Sequence, residues 1–375
     1  MDERGTGMDT EPKWSIGVIS GTSMDGIDVA LLRTDGRDLI EHGPGATLPY
    51  PARLRETLIA VINTPAQAES GDLSALEDAV TDAHCDAVTH ILDAHNMSPR
   101  SITCVGLHGQ TVFHRPERRF TRQLMNGQRA ADRLGLTCVN RFRHADLAAG
   151  GQGAPLVPLY HQALARHLAQ PLMVLNLGGV ANVTSLDGDI ISAFDTGPAS
   201  AMIDDFVRQR TGQSFDTDGA LAARGNADEA LVADFLAHPY FARPAPKSLD
   251  RNAFHDWMKL VASLSDADGA ATLTQFTVES VAAALKHVPR PPKRWLVCGG
   301  GRLNGFLMHA LRQRLGVPVD PVEAVGWNGD FLEAECFAWL AVRSIAGLPL
   351  SLPSTTGVPE PMRGGEIWLP KGPSR

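Results

Sequence analysis

Two stretches of the chain repeat one pattern of apolar and small polar positions. Ser15 to Ser20 and Ile27 to Leu32 are short apolar runs flanking Gly21-Thr22-Ser23-Met24-Asp25-Gly26, a tip of small residues with two hydroxyls and a carboxylate. The alternation predicts a β-hairpin, and the tip is longer and leaner than an ordinary two-residue turn requires. At Pro171 the plan begins again. Leu172 to Leu177 is an apolar strand, Gly178-Gly179-Val180-Ala181-Asn182 a small-residue turn, and Val183 to Leu186 a second strand. Two such hairpins, each opening one half of the chain, predict a duplicated domain with a phosphate held between its copies.

The remaining pattern is that of an α/β protein. Leu73, Leu76, Val80, Ala83, Ala87 and Ile91 recur at helical spacing within 72 to 96. Ile102 to Leu107 reads as a short strand ending in His108-Gly109-Gln110-Thr111, and polar groups just past a strand end are where α/β proteins place ligands. A short helix over 128 to 135, a strand over Leu136 to Val139 and the break Gly150 to Pro155 follow. That break marks the crossover between lobes and is followed by a helical run, Leu159 to Leu168.

In the second half, Ile190 to Phe194 is a strand running into Asp195-Thr196-Gly197-Pro198, residues 199 to 210 are helical, and 211 to 255 are loops with short helices. Leu273 to His287 has amphipathic spacing. Arg294 to Val297 is a strand entering Cys298-Gly299-Gly300-Gly301-Arg302-Leu303-Asn304, and a helix over Gly305 to Leu315 follows. Glycines at such a strand-to-helix turn let a nucleotide approach the amide groups. Asp330 to Glu333 reads as a capping box opening the last long helix, and the Pro- and Gly-rich tail from Leu348 lies on the surface or returns to the first lobe. The expected division is a first lobe over 14 to 145 joined by 348 to 370, and a second over 146 to 347.

Composition narrows the function. A formal net charge of −8 without a basic block argues against a nucleic-acid or anionic-membrane binder. Met1 to Lys13 is polar and acidic, lacks the apolar core of a signal peptide and reads as a disordered lead-in. The apolar segment Phe331 to Leu352 is interrupted by Glu333, Glu335 and Arg343 and reads as a buried helix. Five scattered cysteines with no CxxC pair fit a reduced, cytoplasmic enzyme. P-loop, esterase and zinc-ligand spacings are absent, and the Gly299 to Gly305 run does not match a dinucleotide fingerprint.

The chemistry therefore rests on carboxylates. Asp195, closing a strand near the second hairpin tip, can serve as a general base, a role worth roughly 10²- to 10⁴-fold in rate; an Asx turn shaping the loop is the plainer alternative. Asp25 could face Mg²⁺ on a nucleotide's phosphates, or merely stabilise its turn. Asp28 is a lesser candidate for a metal or water contact. His108, Gln110 and Thr111 offer donors and acceptors suited to sugar hydroxyls, although a lone strand-end histidine is often structural. Gly21, Thr22, Ser23, Met24, Gly26 and Ile27 complete the first phosphate hairpin. Gly178, Gly179, Asn182 and Gly197 belong to the second, and Gly299, Gly300, Gly301 and Asn304 to the nucleotide turn.

Taken in order, the stretches Ile16 to Asp28, His108 to Thr111, Gly150 to Val157, Asn176 to Asn182, Asp195 to Pro198, Pro246-Lys247-Ser248 and Cys298 to Asn304 resemble the anhydro-N-acetylmuramic acid kinase family. The resemblance implies a two-lobed actin-like fold of the sugar-kinase and Hsp70 type, each lobe a mixed sheet with flanking helices. It implies ATP and Mg²⁺, a cytoplasmic homodimer, and an anhydrosugar substrate from peptidoglycan recycling, 1,6-anhydro-N-acetylmuramic acid, converted with water to N-acetylmuramic acid 6-phosphate. Asp195 matches the aspartate that activates water towards the anomeric carbon, and Glu333 an acidic position at the sugar end. Three positions depart from the family pattern: Arg141 stands for an aspartate, Met125-Asn126 for Gly-Asp or Gly-Asn, and Ala199-Ser200 for Gly-Asn. Rival readings are an ordinary sugar kinase of the same fold, in which Asp195 deprotonates a free hydroxyl, and a nucleotide-dependent binding or regulatory module without chemistry.

Overall fold

The computed structural model describes residues 13–21, 24, 26–249 and 254–372, so Met1 to Pro12 of the lead-in and Thr22, Ser23 and Asp25 of the first tip lie outside the described residues. The described chain forms two compact units, one comprising the residues up to Gly150 with Glu333–Leu350 and the residues from Pro361, the other Gly151–Leu332 with Ser351–Glu360. Residues 333 to 347, which the linear reading assigns to the second lobe, thus fall in the first unit, and Ser351–Glu360, which it assigns to the first, falls in the second.

The first unit is built on β1 (Trp14–Ser20), β2 (Ile27–Thr34), β3 (Ile40–Leu48), β4 (Ile102–Arg115), β5 (Phe120–Leu124), β6 (Cys138–Asn140) and, from the end of the chain, Glu366–Trp368. The expected hairpin is present, with β1 antiparallel to β2 from Trp14↔Arg33 to Ile19↔Asp28. β3, which the sequence pattern missed, continues the meander; β4 runs parallel to β1 and β6 parallel to β4. Glu366–Trp368 pairs with β6, so the tail does return to the first unit.

The second unit carries β7 (Leu172–Leu177), β8 (Val180–Asp187), β9 (Ile190–Pro198), β10 (Arg294–Cys298) and β11 (Val319–Pro321), ordered β11-β10-β7-β8-β9. Here too a three-strand meander is followed by two strands added in parallel on its first strand. The order β6-β4-β1-β2-β3 is the same plan, so the duplication read from the two hairpins is real at the level of topology. The chain has the duplicated α/β core of an actin-like fold.

Three expected boundaries are corrected by the sheets. β4 does not stop at Leu107 but continues to Arg115, because β5 pairs back on it from Gln110↔Leu124 to Arg115↔Phe120. β9 likewise continues through Asp195 to Pro198, held by β8, and β8 itself begins at Val180. The amphipathic helix starts earlier, at Asp266, where the Ser265 side chain accepts the Asp268 N–H, and it ends at Ala283.

A glycine seat explains the placement of the last long helix, Leu332–Ile345. Gly17 of β1 and Gly106 of β4 are register partners, and a Cβ on either would collide with that helix's backbone, at the carbonyls of Ala334 and Phe337. Backbone-to-backbone packing of this kind is available only to glycine. The helix is pinned further by Glu335, fully buried, whose two carboxylate oxygens each lie 2.9 Å from His42 Nδ1 on β3. The hydrogen bond from Glu335 raises the His42 pKa, burial opposing it. A raised value in the folded state stabilises below the unfolded value near 6.5 and is lost as pH rises through the folded value. His42→Ala is therefore expected to cost about 3 kcal/mol in urea denaturation near pH 6, because a buried carboxylate loses its cationic contact with His42, and less at pH 8; a loss independent of pH contradicts the ion-pair account.

Candidate active site

Register alone assembles a polar row in the second unit. Asp195 of β9 faces Asn182 of β8, Asn182 faces Asn176 of β7, and Asn176 is the partner of Cys298 at the end of β10. Ladder partners share a face of the sheet, so one face carries a carboxylate, two amides and a thiol in line, ending at the Gly299 turn. The next row, Ala193, Thr184, Val174 and Leu296, is largely apolar. The signal of Asn176 in the sequence is an amide inside the otherwise apolar strand Leu172–Leu177.

Asp195 is half-buried. Burial pushes its carboxyl up to about 7, while the Leu249 N–H and the Lys247 charge pull it back. The Leu249 N–H donates to Oδ2 at 2.7 Å, and the Asp195 N–H donates to the Lys247 carbonyl at 2.9 Å. This carboxylate is a strand residue held by a returning loop, not the Asx turn of the plainer alternative. A base titrating near neutrality can both accept and release a proton at working pH.

The glycines divide into two groups. Gly197 is buried in β9, where a Cβ would stand 2.7 Å from Ser280 Oγ on the helix Asp266–Ala283. Gly301 would meet the Leu177 side chain at 2.6 Å, and Gly299, at φ +76°, would strike the Asn176 side chain and the Leu177 backbone. These three are required by packing. Gly300 has open space around it, so its backbone is open to approach. Asn304 caps Gly305–Leu315, accepting the Leu307 N–H at 3.0 Å, and the Gly305 N–H is taken by Asp218 Oδ1 at 2.8 Å. At the second hairpin tip, the Gly178 and Gly179 carbonyls accept the N–H groups of Ser200, Ala199 and Ala201, tying the tip to the start of the helix Ser200–Thr211. The departure at Ala199-Ser200 lies at that junction.

In the first unit, Gln110 is fully buried and its amide secures the hairpin mouth. Its Oε1 accepts the Ser20 hydroxyl at 2.6 Å and the Tyr50 hydroxyl at 3.3 Å, and its Nε2 donates to the Gly21 carbonyl at 3.3 Å. Gly21 also accepts the Met24 N–H at 3.2 Å; Met24 is buried at φ +55°, and its carbonyl accepts Arg55 Nε at 3.0 Å. Gly26 lies against Thr47, Ile27 is core, and Asp28 accepts the Thr47 hydroxyl at 2.6 Å. The tip residues Thr22, Ser23 and Asp25 lie outside the described residues.

His108 is buried against Phe337, with ring centroids 4.7 Å apart. Burial, then the Arg143 charge, holds its pKa well below the usual range. As a neutral ring it accepts from Arg143 Nε at 3.0 Å through Nε2. Thr111 Oγ1 accepts from Gln123 Nε2 at 3.3 Å. Arg143, which the pattern reading did not single out, is half-buried and feels the charge of Glu333, an exposed residue in the first turn of Leu332–Ile345. The structure thus gathers His108, Arg143 and Glu333 in one unit. The Asp330 carboxylate of the expected capping box is engaged by Arg302 Nη2 at 2.5 Å. Arg141 takes φ +55° and pairs with Glu366 at 3.1 Å, and Asn126 caps Gly127–Leu134, accepting the Arg129 N–H at 3.1 Å.

No helix among the described residues is long and apolar enough to cross a membrane, and the five cysteines are buried and in no disulfide. The model of the anhydro-N-acetylmuramic acid kinase family matches residues 13–370. A protein of that name from Rhodospirillum rubrum is 53% identical over 357 residues, 95% of this chain and 94% of its own. Others from Paramagnetospirillum magneticum and Acidiphilium cryptum are each 49% identical, over 360 and 365 residues, covering 95% and 96% of this chain and 99% of theirs. Among solved structures, component A of Acidaminococcus fermentans (R)-2-hydroxyglutaryl-CoA dehydratase aligns over 88% of this chain and 99% of that chain with a TM-score of 0.48 and 11% identity, a likeness too distant to bear on function. The family match over nearly the whole chain, together with relatives at about half identity, establishes that this chain belongs to the anhydro-N-acetylmuramic acid kinase family.

Proposed function

We propose that this chain opens 1,6-anhydro-N-acetylmuramic acid with water and phosphorylates O6 from ATP, giving N-acetylmuramic acid 6-phosphate, with Asp195 as the base. The observation that carries this is the Asp195 carboxylate itself, half-buried at the head of a polar row and shifted by burial to about 7. Asp195 takes a proton from water as its oxygen bonds to the anomeric carbon; the bond from that carbon to O6 breaks, and O6 attacks the γ-phosphorus, releasing ADP. One base suffices because the departing oxygen becomes the nucleophile. Charge at the anomeric carbon is oxocarbenium-like in the first event, and the second depends on positioning and neutralisation of phosphate charge.

The hairpin tips and Gly300 are assigned to the phosphates of ATP. His108, Gln110 and Thr111 are assigned to the sugar side, where the first two act chiefly by holding neighbours in place. Mg²⁺ keeps several waters and takes one or two protein carboxylates beside phosphate oxygens. Asp28, on the first β1–β2 rung below the tip, has a half-buried carboxylate of the chemistry that ion needs, and Asp25 would share it. When bound, the ion supplies charge neutralisation at the phosphates. The substrate is a small molecule; a cytoplasmic site of action and a homodimer are part of the same proposal.

The test is turnover in water carrying oxygen-18, followed by mass analysis of the sugar phosphate. The label is expected at the anomeric oxygen and nowhere on the phosphate. Unlabelled sugar phosphate, or phosphorylation of free N-acetylmuramic acid but not of its anhydro form, turns the reading towards an ordinary sugar kinase.

A further inference from the structure

The segment from Tyr240 to Leu249 returns to β9 beside Asp195 and grips that residue at three points. The Lys247 carbonyl accepts its N–H at 2.9 Å, the Leu249 N–H donates to Oδ2 at 2.7 Å, and the Tyr240 hydroxyl donates to its carbonyl at 2.6 Å. The Lys247 ammonium is itself held. The residue is largely buried, and its ammonium donates to the Tyr240 carbonyl at 3.3 Å, lies 3.4 Å from His287 Nε2 and stands 4.7 Å from the centroid of the Tyr240 ring. Lysine ordinarily keeps its head group in water, so a seat of this kind needs a reason.

We propose that Lys247 is a positioning residue for the reaction: its carbonyl holds the Asp195 backbone while the Leu249 N–H engages Oδ2 and leaves Oδ1 to water, and its ammonium, seated on the Tyr240 whose hydroxyl also binds Asp195, supplies a cation beside the base. This rests on the reading of Asp195 as that base. Among the described residues, the other charged or titratable groups around the pair are Tyr240 and Arg243 from the same segment and His287 from the turn Ala284–His287. Burial, then the Asp195 charge, raises Tyr240, which stays a neutral donor. Burial, then Lys247, lowers His287, leaving it a neutral acceptor. Lys247 is lowered by burial and by Arg243, and Asp195 draws it back up. Among these groups Lys247 is the one whose charge opposes the burial of Asp195.

The experiment compares the wild type with Lys247→Met, Lys247→Arg and Asp195→Asn, reading kcat/KM for the anhydrosugar between about pH 5.5 and about pH 9. The Asp195 carboxyl is titrated in parallel by carbon-13 NMR, its resonance identified by its loss in Asp195→Asn. The acid limb of the wild type is expected near pH 7, in line with a carboxyl pushed to about 7. In Lys247→Met both the limb and the carboxyl titration move up by about one unit, Lys247→Arg keeps the wild-type limb, and the KM for ATP is unchanged. Lys247→Gln, whose amide can still donate to the Tyr240 carbonyl, is the neutral companion should the Met variant not fold. A neutral variant whose limb and carboxyl titration coincide with the wild type overturns the proposal, even if its activity falls. Turnover retained in Asp195→Asn overturns the base assignment instead, and the carboxyl titration still reads the Lys247 charge.

Discussion

Asp195→Asn is expected to lower kcat by about 10²- to 10⁴-fold while making the protein more stable at alkaline pH. The first effect follows from removing the proposed proton acceptor for the attacking water; ATP binding, assigned to other groups, is largely kept. The second follows from the direction of the shift. A carboxyl whose folded value is raised from 3.8 to about 7 binds its proton more tightly folded than unfolded. Its contribution is therefore complete below the unfolded value and is lost as pH rises through the folded one. Asparagine carries no such dependence, so the two proteins should be equally sensitive to urea near pH 4, diverge through neutrality and differ by about 2–4 kcal/mol above it. A variant no more stable than the wild type at pH 8.5 contradicts the burial of this carboxylate. A variant that still turns over requires another base.

Gly17→Ala and Gly106→Ala are expected to be the most damaging single-methyl changes in the first unit. Each new Cβ would overlap the backbone of the helix Leu332–Ile345, and backbone cannot rotate away as a side chain can. Overpacking a core commonly costs 1–3 kcal/mol, and a clash with main chain on a central strand belongs at about 3 kcal/mol or beyond. Because that helix carries Glu333 and Glu335, activity should fall with the urea midpoint and not independently of it. Gly300→Ala, with open space around it, is the control and should leave the midpoint unchanged. An unaltered midpoint for Gly17→Ala contradicts the seat.

Much of the candidate site is legible in the sequence because its residue types lie in local patterns. Strand pairs such as Ser15 to Leu32 and Leu172 to Leu186 announce themselves by alternation and by the small residues of their tips, and the helix Gly305–Leu315 was legible from the strand and glycines before it. Asp195 stood out as a carboxylate at the end of an apolar run. Its surroundings did not, since Leu249 lies 54 positions away and its N–H is an atom any residue could provide. The limits of β4 and β9 were misjudged for a related reason: His108 to Thr111 and Asp195 to Pro198 resemble turns in isolation, and only pairing with β5 and β8 keeps them extended. β3, with Gly43, Pro44 and Gly45, has weak strand propensity and is recruited by β2.

The sequence by itself determined the duplication, the order of the motifs and the family, because these reside in residue types and their spacing. The tertiary structure decided the rest. It assigned the last long helix to the first unit through glycines separated by 89 positions, and lined up Asp195, Asn182, Asn176 and Cys298 on one face. It also brought Lys247 and Leu249 to Asp195. Contacts of this kind depend on register and burial, which are set when distant strands pair and exclude water.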